Sequence, residues 1–132
     1  ARAGFEKALA RARALGDRRG EAASALGLGA ALANAGRHRE AQEHFDRVLP
    51  LFRELGDRKG EARTLENLGV VHFSTGRLPQ ALEYTRQAID RYHDLGEKAT
   101  EARALSLAVE TSRRANRFPT MLEYARRALA LS

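Results

Sequence analysis

The 132 residues contain no cysteine. That excludes a disulfide staple, a thiolate nucleophile and any cysteine-based zinc site. The absence is compatible with a reducing compartment, and a cytoplasmic location is expected. Tryptophan is missing too, and aromatic residues make up only 6% of the chain. A core made mainly of Ala and Leu must bring its backbones close together. Helices allow this, because both residues are strong helix formers. Only three prolines interrupt the chain, and β-branched runs are missing. No apolar stretch approaches the roughly 20 residues that span a membrane. No signal peptide is visible, so no membrane partner is expected.

What is present is globular in composition, with 43% hydrophobic and 30% charged residues in a length that suits one domain. The formal net charge is +6, with a pI near 10.5. Such a balance favours acidic partners: acidic peptides, acidic domains or nucleic acid. The 17 acidic residues are interspersed among the 23 basic ones, so no block reads as a basic tail.

The chain repeats itself. Leu15-Gly16-Asp17 returns as Leu55-Gly56-Asp57 and as Leu95-Gly96-Glu97, a spacing of 40 each time. Glu21-Ala22, Leu28-Gly29, Gly36-Arg37, Ala41 and Val48-Leu49 recur in the same register. Ala1, Phe5 and Ala8-Leu9 fit 40 residues before Ala41, Phe45 and Val48-Leu49. The chain opens in mid-pattern, which predicts a piece of a longer protein. The expected units are 1–14, the second helix of a truncated repeat, then repeats at 15–54, 55–94 and 95–132. The last is degenerate: Val109 and Asn116 replace Gly, and Met121 replaces Ala. Looser packing is expected there.

Each unit reads as two helices, the first over 17–34, 57–74 and 97–114, the second starting near 38, 78 and 118. Asp17, Asp57 and Glu97 stand where a carboxylate serves a helix N-terminus. Gly16, Gly56 and Gly96 suit the left-handed position that ends a helix. Pro79 and Pro119 fall in a first turn, where a missing N–H costs nothing. Pro50, inside helix 38–54, is expected to kink or fray it near Asp46.

Leu-Gly at 28–29 and 68–69, Ala41, Ala81, Phe45, Ala88 and the inter-helix Gly resemble the tetratricopeptide repeat. The 40-residue spacing with Leu-Gly-Asp-x-x-Gly-Glu-Ala resembles its long-repeat subtype. That subtype occurs in kinesin light chains, spindle-orientation adaptors and the C-terminal arrays of bacterial signalling ATPases and transcriptional activators. The resemblance implies an all-α fold: a right-handed α-solenoid of antiparallel helix pairs, about seven helices in all. The Ala- and Arg-rich composition leans towards a larger bacterial regulatory or signalling protein.

The resemblance also implies a binding groove on the concave side, lined by one stripe of each first helix. In helix 57–74 the packing stripe is Ala62, Leu65, Leu68, Gly69 and His72. The groove stripe beside it is Arg63, Glu66, Asn67, Val70 and Phe73-Ser74. Long-repeat members often hold an acidic peptide with an Arg and an Asn four residues later, and Arg63 and Asn67 match that pair. Repeat one offers small and apolar residues: Ala23, Leu26, Gly27, Ala30, Ala33 and Asn34. Repeat three offers Arg103, Ser106, Leu107, Glu110, Arg113 and Arg114. The expected partner contacts are therefore Arg63, Glu66, Asn67, Val70, Arg103, Glu110, Arg113 and Arg114, with basic character growing from Arg63 towards Arg114. The alternative for each is a solvated helix face with no role.

No catalytic, cofactor or metal residues are expected. His38 and His44 lie six apart on one helix and share no ligand face. His72 reads as a satisfied, half-buried packing residue, and His93 sits near a helix end. The Gly- and Arg-containing turns at 16–20 and 56–60 lack the phosphate-loop spacing and a preceding strand. No Ser-His-Asp set has a supporting local motif. Tyr84, Tyr92 and Tyr124 read as packing residues with wet hydroxyls. Three functions remain open: a protein or peptide interaction module, a nucleic-acid binder working through its basic surface, and a scaffold that self-associates through its repeat ends.

Overall fold

The computed structural model describes residues 2–131. Ala1, counted in the expected helix 1–14 and in the 40-residue register, lies outside the described residues, as does Ser132. The described chain is seven helices: α1 (Arg2–Leu15), α2 (Arg18–Asn34), α3 (His38–Leu55), α4 (Arg58–Ser74), α5 (Leu78–Leu95), α6 (Lys98–Arg114) and α7 (Phe118–Leu131). Each packs on its neighbours in sequence, so the helices alternate in direction. In addition α2 touches α4, and α4 touches α6, whereas α1, α3, α5 and α7 do not meet one another. The first helices thus crowd together and the second helices splay. This curves the stack into an α-solenoid with α2, α4 and α6 on its inner face.

Local chemistry fixes where each helix starts and stops. Asp17 and Asp57 each accept a hydrogen bond from a backbone N–H three residues on, Gly20 at 3.0 Å and Gly60 at 2.8 Å. Glu97, with one more methylene, makes no such cap and instead reaches Lys59 Nζ at 3.3 Å. The inter-helix turns need a left-handed residue: Gly36 and Gly76 supply it, and Asn116 adopts φ 58° at the third. Pro50 does not fray the helix. Helix α3 runs unbroken to Leu55. Pro50 is exposed, so the carbonyl it leaves unbonded, that of Asp46, can face water instead of breaking the helix.

Two devices repeat along the stack. The first is close helix approach within a pair. A Cβ on Gly29 would sit 2.6 Å from the Phe45 ring, and one on Gly69 would sit 2.5 Å from Thr85 Oγ1. In the third pair the same two positions are Val109 and Ala125. At this one contact bulk has moved from one helix to the other. The second device is a polar contact on a glutamate between repeats. Glu21 meets Arg13 at 3.5 Å, Glu61 meets Arg53 at 3.0 Å, and Glu101 meets His93 Nδ1 at 3.2 Å. Each ties the end of one second helix to the start of the next first helix.

His72 is only 5% exposed, stacks on Tyr84 with ring centroids 5.2 Å apart, and its Nδ1 has no partner. The expectation of a satisfied, half-buried residue is therefore corrected. Leu32 and Ser112 fill the equivalent core position. The chain has put a polar ring where a neighbouring repeat uses a leucine.

Two outcomes are expected. Gly69→Val should destabilise by roughly 1–3 kcal/mol, the usual cost of overpacking. Adding Thr85→Ala should recover most of that loss, since Val109 opposite Ala125 is that combination. Urea unfolding of both single variants and the double checks the coupling. The second outcome concerns pH. Burial first, then Arg77, pushes the His72 imidazole below its ordinary value of 6.5. Burial does the same to His44. A depressed folded-state value favours the neutral ring, so this stability is present above pH 6.5 and lost as pH falls below it. His72→Leu should flatten that acid-side decline in unfolding titrations without removing the part due to His44.

Candidate partner-binding groove

The groove stripe of α4 is built by helical spacing. Ala62, Leu65, Leu68, Gly69 and His72 are all buried, which turns Arg63, Asn67 and Val70 to the inner face. Arg63 is exposed and Asn67 partly so. Neither side chain makes a hydrogen bond or ion pair with any described residue. Val70 is 39% exposed, an apolar side chain left open on the same face.

Beside Arg63 and Asn67 lies a cleft of about 330 Å³ between α2 and α4, with Leu26, Gly27, Phe52 and Phe5 among its walls. The Phe5 ring rests where Gly27 has no side chain; a Cβ there would come within 2.3 Å of it. Lys59 also borders the cleft, although its ammonium is held by Glu97 at 3.3 Å. Sequence reasoning missed Phe5, Phe52 and Lys59 as groove residues. Phe5 and Phe52 lie on second helices, where only the 40-residue alignment offered a signal, whereas Lys59 stands one turn before Arg63 on α4 and its spacing was readable.

The remaining expected contacts are placed differently. Glu66 is 8% exposed and points at Arg103, whose Nε and Nη2 donate to its two oxygens at 2.6 and 2.7 Å. The Tyr92 hydroxyl donates to the same carboxylate at 2.7 Å. Tyr92 is therefore bonded within the core and not wet. Glu66 holds the Arg103 guanidinium above its ordinary value. Burial first, then Glu66, pushes the Tyr92 phenol upward. Further along α6, Glu110 receives Arg113 at 2.5 and 3.1 Å and Arg114 at 3.1 Å. Arg113, then Arg114, keeps the Glu110 carboxyl below its ordinary range. Arg114 also lies 4.7 Å over the Phe73 ring.

These pairings temper the expected gradient. Glu66 answers Arg103, whereas Arg113 and Arg114 share the one carboxylate of Glu110 and keep a net positive charge there. The groove cation without a counter-ion is Arg63, at the opposite end. Among the described residues, no group of three or more His, Asp or Glu side chains is arranged to hold a metal ion. No described helix is long and apolar enough to cross a membrane.

A curved stack of antiparallel helix pairs with a lined inner face defines a helical-repeat interaction scaffold. The sequence model of the tetratricopeptide repeat matches residues 1–54 and 21–94, and the chain belongs to that family. No curated protein sequence matches it. Solved structures agree on the fold. BtubC from P. vanneervenii is 18% identical, with a TM-score of 0.86 over 96% of this chain and 53% of that one. A Rap protein complexed with competence and sporulation factor is 16% identical, with a TM-score of 0.89 over 96% of this chain and 36% of that one. Aspartyl phosphate phosphatase F from Bacillus subtilis is 16% identical, with a TM-score of 0.82 over 87% of this chain and 30% of that one. The chain thus spans about a third to a half of the length of these proteins. At such identities the likeness concerns architecture alone.

Proposed function

We propose that the chain binds an acidic peptide or helix of a partner protein in its concave groove, as a non-catalytic part of a larger cytoplasmic regulatory protein of bacterial type. The observation that carries this is the unpaired Arg63 and Asn67 beside an apolar-walled cleft. A guanidinium offers a planar fork to a carboxylate, and the amide one turn on adds a donor. Val70 extends the apolar surface along the groove. The long-repeat spacing of 40 supports the same reading, since members of that subtype hold acidic peptides this way. A preformed rigid groove also limits the ordering cost of binding.

Nucleic-acid binding is the weaker reading. The basic residues are mixed with acidic ones along the chain and have no aromatic interleaving, and those groove guanidiniums that already hold carboxylates release few counter-ions to a phosphate backbone. Self-association has one observation in its favour: Phe118 and Leu122 are each 50% exposed and Leu129 75%, along one side of α7. Sedimentation over a concentration series decides it, and a monomer throughout rules it out.

For the groove, immobilised protein and its Arg63→Ala, Asn67→Ala and double variants should be compared in capturing partners from bacterial extract. Loss of a charge-assisted hydrogen bond costs about 1.5–3 kcal/mol, so Arg63→Ala should weaken the main partner roughly tenfold or more. Capture that is unchanged in the double variant sinks the site.

A further inference from the structure

The repeat lets one junction be compared with the next. At the α4–α6 junction, Glu66, Tyr92 and Arg103 form a closed set, with Glu66 accepting from both others. Forty residues earlier, at the α2–α4 junction, the same positions are Leu26, Phe52 and Arg63. Leu26 stands 37 residues before Arg63, the separation that joins Glu66 to Arg103. The burial of the two positions also agrees, 7% for Leu26 and 8% for Glu66. The first junction therefore keeps the guanidinium but lacks the carboxylate and the hydroxyl at these positions; the one carboxylate that borders the cleft, Asp57, is engaged by the Gly60 N–H at 2.8 Å and makes no ion pair with Arg63. All three of its residues border the 330 Å³ cleft.

We propose that the α2–α4 junction is a receptor for a carboxylate carried on an apolar arm, and that the α4–α6 junction is the same site already filled from within the chain. This rests on the groove reading and narrows it to one position and one chemistry. The incoming carboxylate takes the place on Arg63 that Glu66 takes on Arg103. Its apolar arm lies along Leu26, Phe52 and Phe5. Phe52 has no hydroxyl to replace that of Tyr92, and Asn67 supplies the amide donor instead. At the filled junction, where no external acid is needed, the residue equivalent to Asn67 is Leu107. Leu26 and Phe52 are then specificity determinants, since they keep the site open. The carboxylate can come from a Glu side chain between apolar residues or from a chain end after one.

Nitrogen-15 labelled protein is titrated with acetyl-Leu-Glu-Leu-amide, with the chain-end acid acetyl-Leu-Leu, and with acetyl-Leu-Gln-Leu-amide as the uncharged control. The arginine Nε–H and asparagine side-chain signals are followed. Saturable shifts are expected at Arg63 and Asn67 and not at Arg103, with the Gln peptide at least fivefold weaker. Whichever acid binds tighter identifies the source. Leu26→Glu supplies the missing counter-ion and should weaken the acid at least tenfold. Glu66→Leu with Tyr92→Phe empties the second junction and should bring Arg103 into the response. If that double variant does not fold, Leu26→Glu decides alone. Equal binding of acid and Gln peptides, undiminished binding to Leu26→Glu, or no response at Arg63 overturns the proposal. If partner capture depends on Arg63 while none of the short acids binds there, this inference fails and the groove reading stands.

Discussion

The structure depends on how closely the two helices of a pair can approach. Gly29 lies under Phe45, and Gly69 lies under Thr85, with no room for a side chain at either. That contact sets the distance between paired helices, and the pairs then stack with their first helices touching. Burial in such an interior has crystal-like density, so volume removed from one helix must be returned by the other. The third pair obeys this by exchanging Gly for Val and Thr for Ala across the seam. The first two pairs keep Gly on the first helix against a ring or a hydroxyl, and only the third moves the bulk across the seam.

The fold was legible because this constraint marks the sequence at local positions. Small residues, left-handed glycines and the Asp caps recur every 40 residues, and each is a short-range requirement of helix geometry. Fraying at Pro50 does not occur, because its effect depends on which face it occupies and helix-breaking propensity ignores that. His72 was misread for a related reason: its position is core, but whether its nitrogens find partners depends on what a neighbouring helix offers.

The groove was legible in outline and not in charge. Helical spacing turned Arg63, Asn67 and Val70 to the inner face. It could not show that Arg103 is answered by Glu66, because that pairing spans 37 residues, an offset unrelated to the period. Nor could net charge show it. A chain at +6 with its groove arginines paired presents a different field from one with those arginines free. The Glu110 pairs with Arg113 and Arg114 lie within one helix at spacings of three and four. Those spacings are readable from the sequence, and they leave Arg63 as the groove cation without a carboxylate one turn away on its exposed side.

Arg63 alone would be a weak receptor. An exposed guanidinium is well hydrated, and an ion pair made in water contributes little, often under about 1 kcal/mol. The filled junction shows what changes this. Glu66 is buried, so water competes poorly for its carboxylate although the Arg103 guanidinium stays exposed on its outer side, and the Tyr92 hydroxyl satisfies Glu66 further. The open junction has the apolar walls in Leu26, Phe52 and Phe5 but lacks the cover that an occupant brings. A free carboxylate without an apolar arm leaves the site wet and gains little. One that carries such an arm excludes water as it binds and strengthens the contact it makes. Charge and apolar surface are therefore one requirement at this junction, which is why discrimination there falls to Leu26 and Phe52 as much as to Arg63.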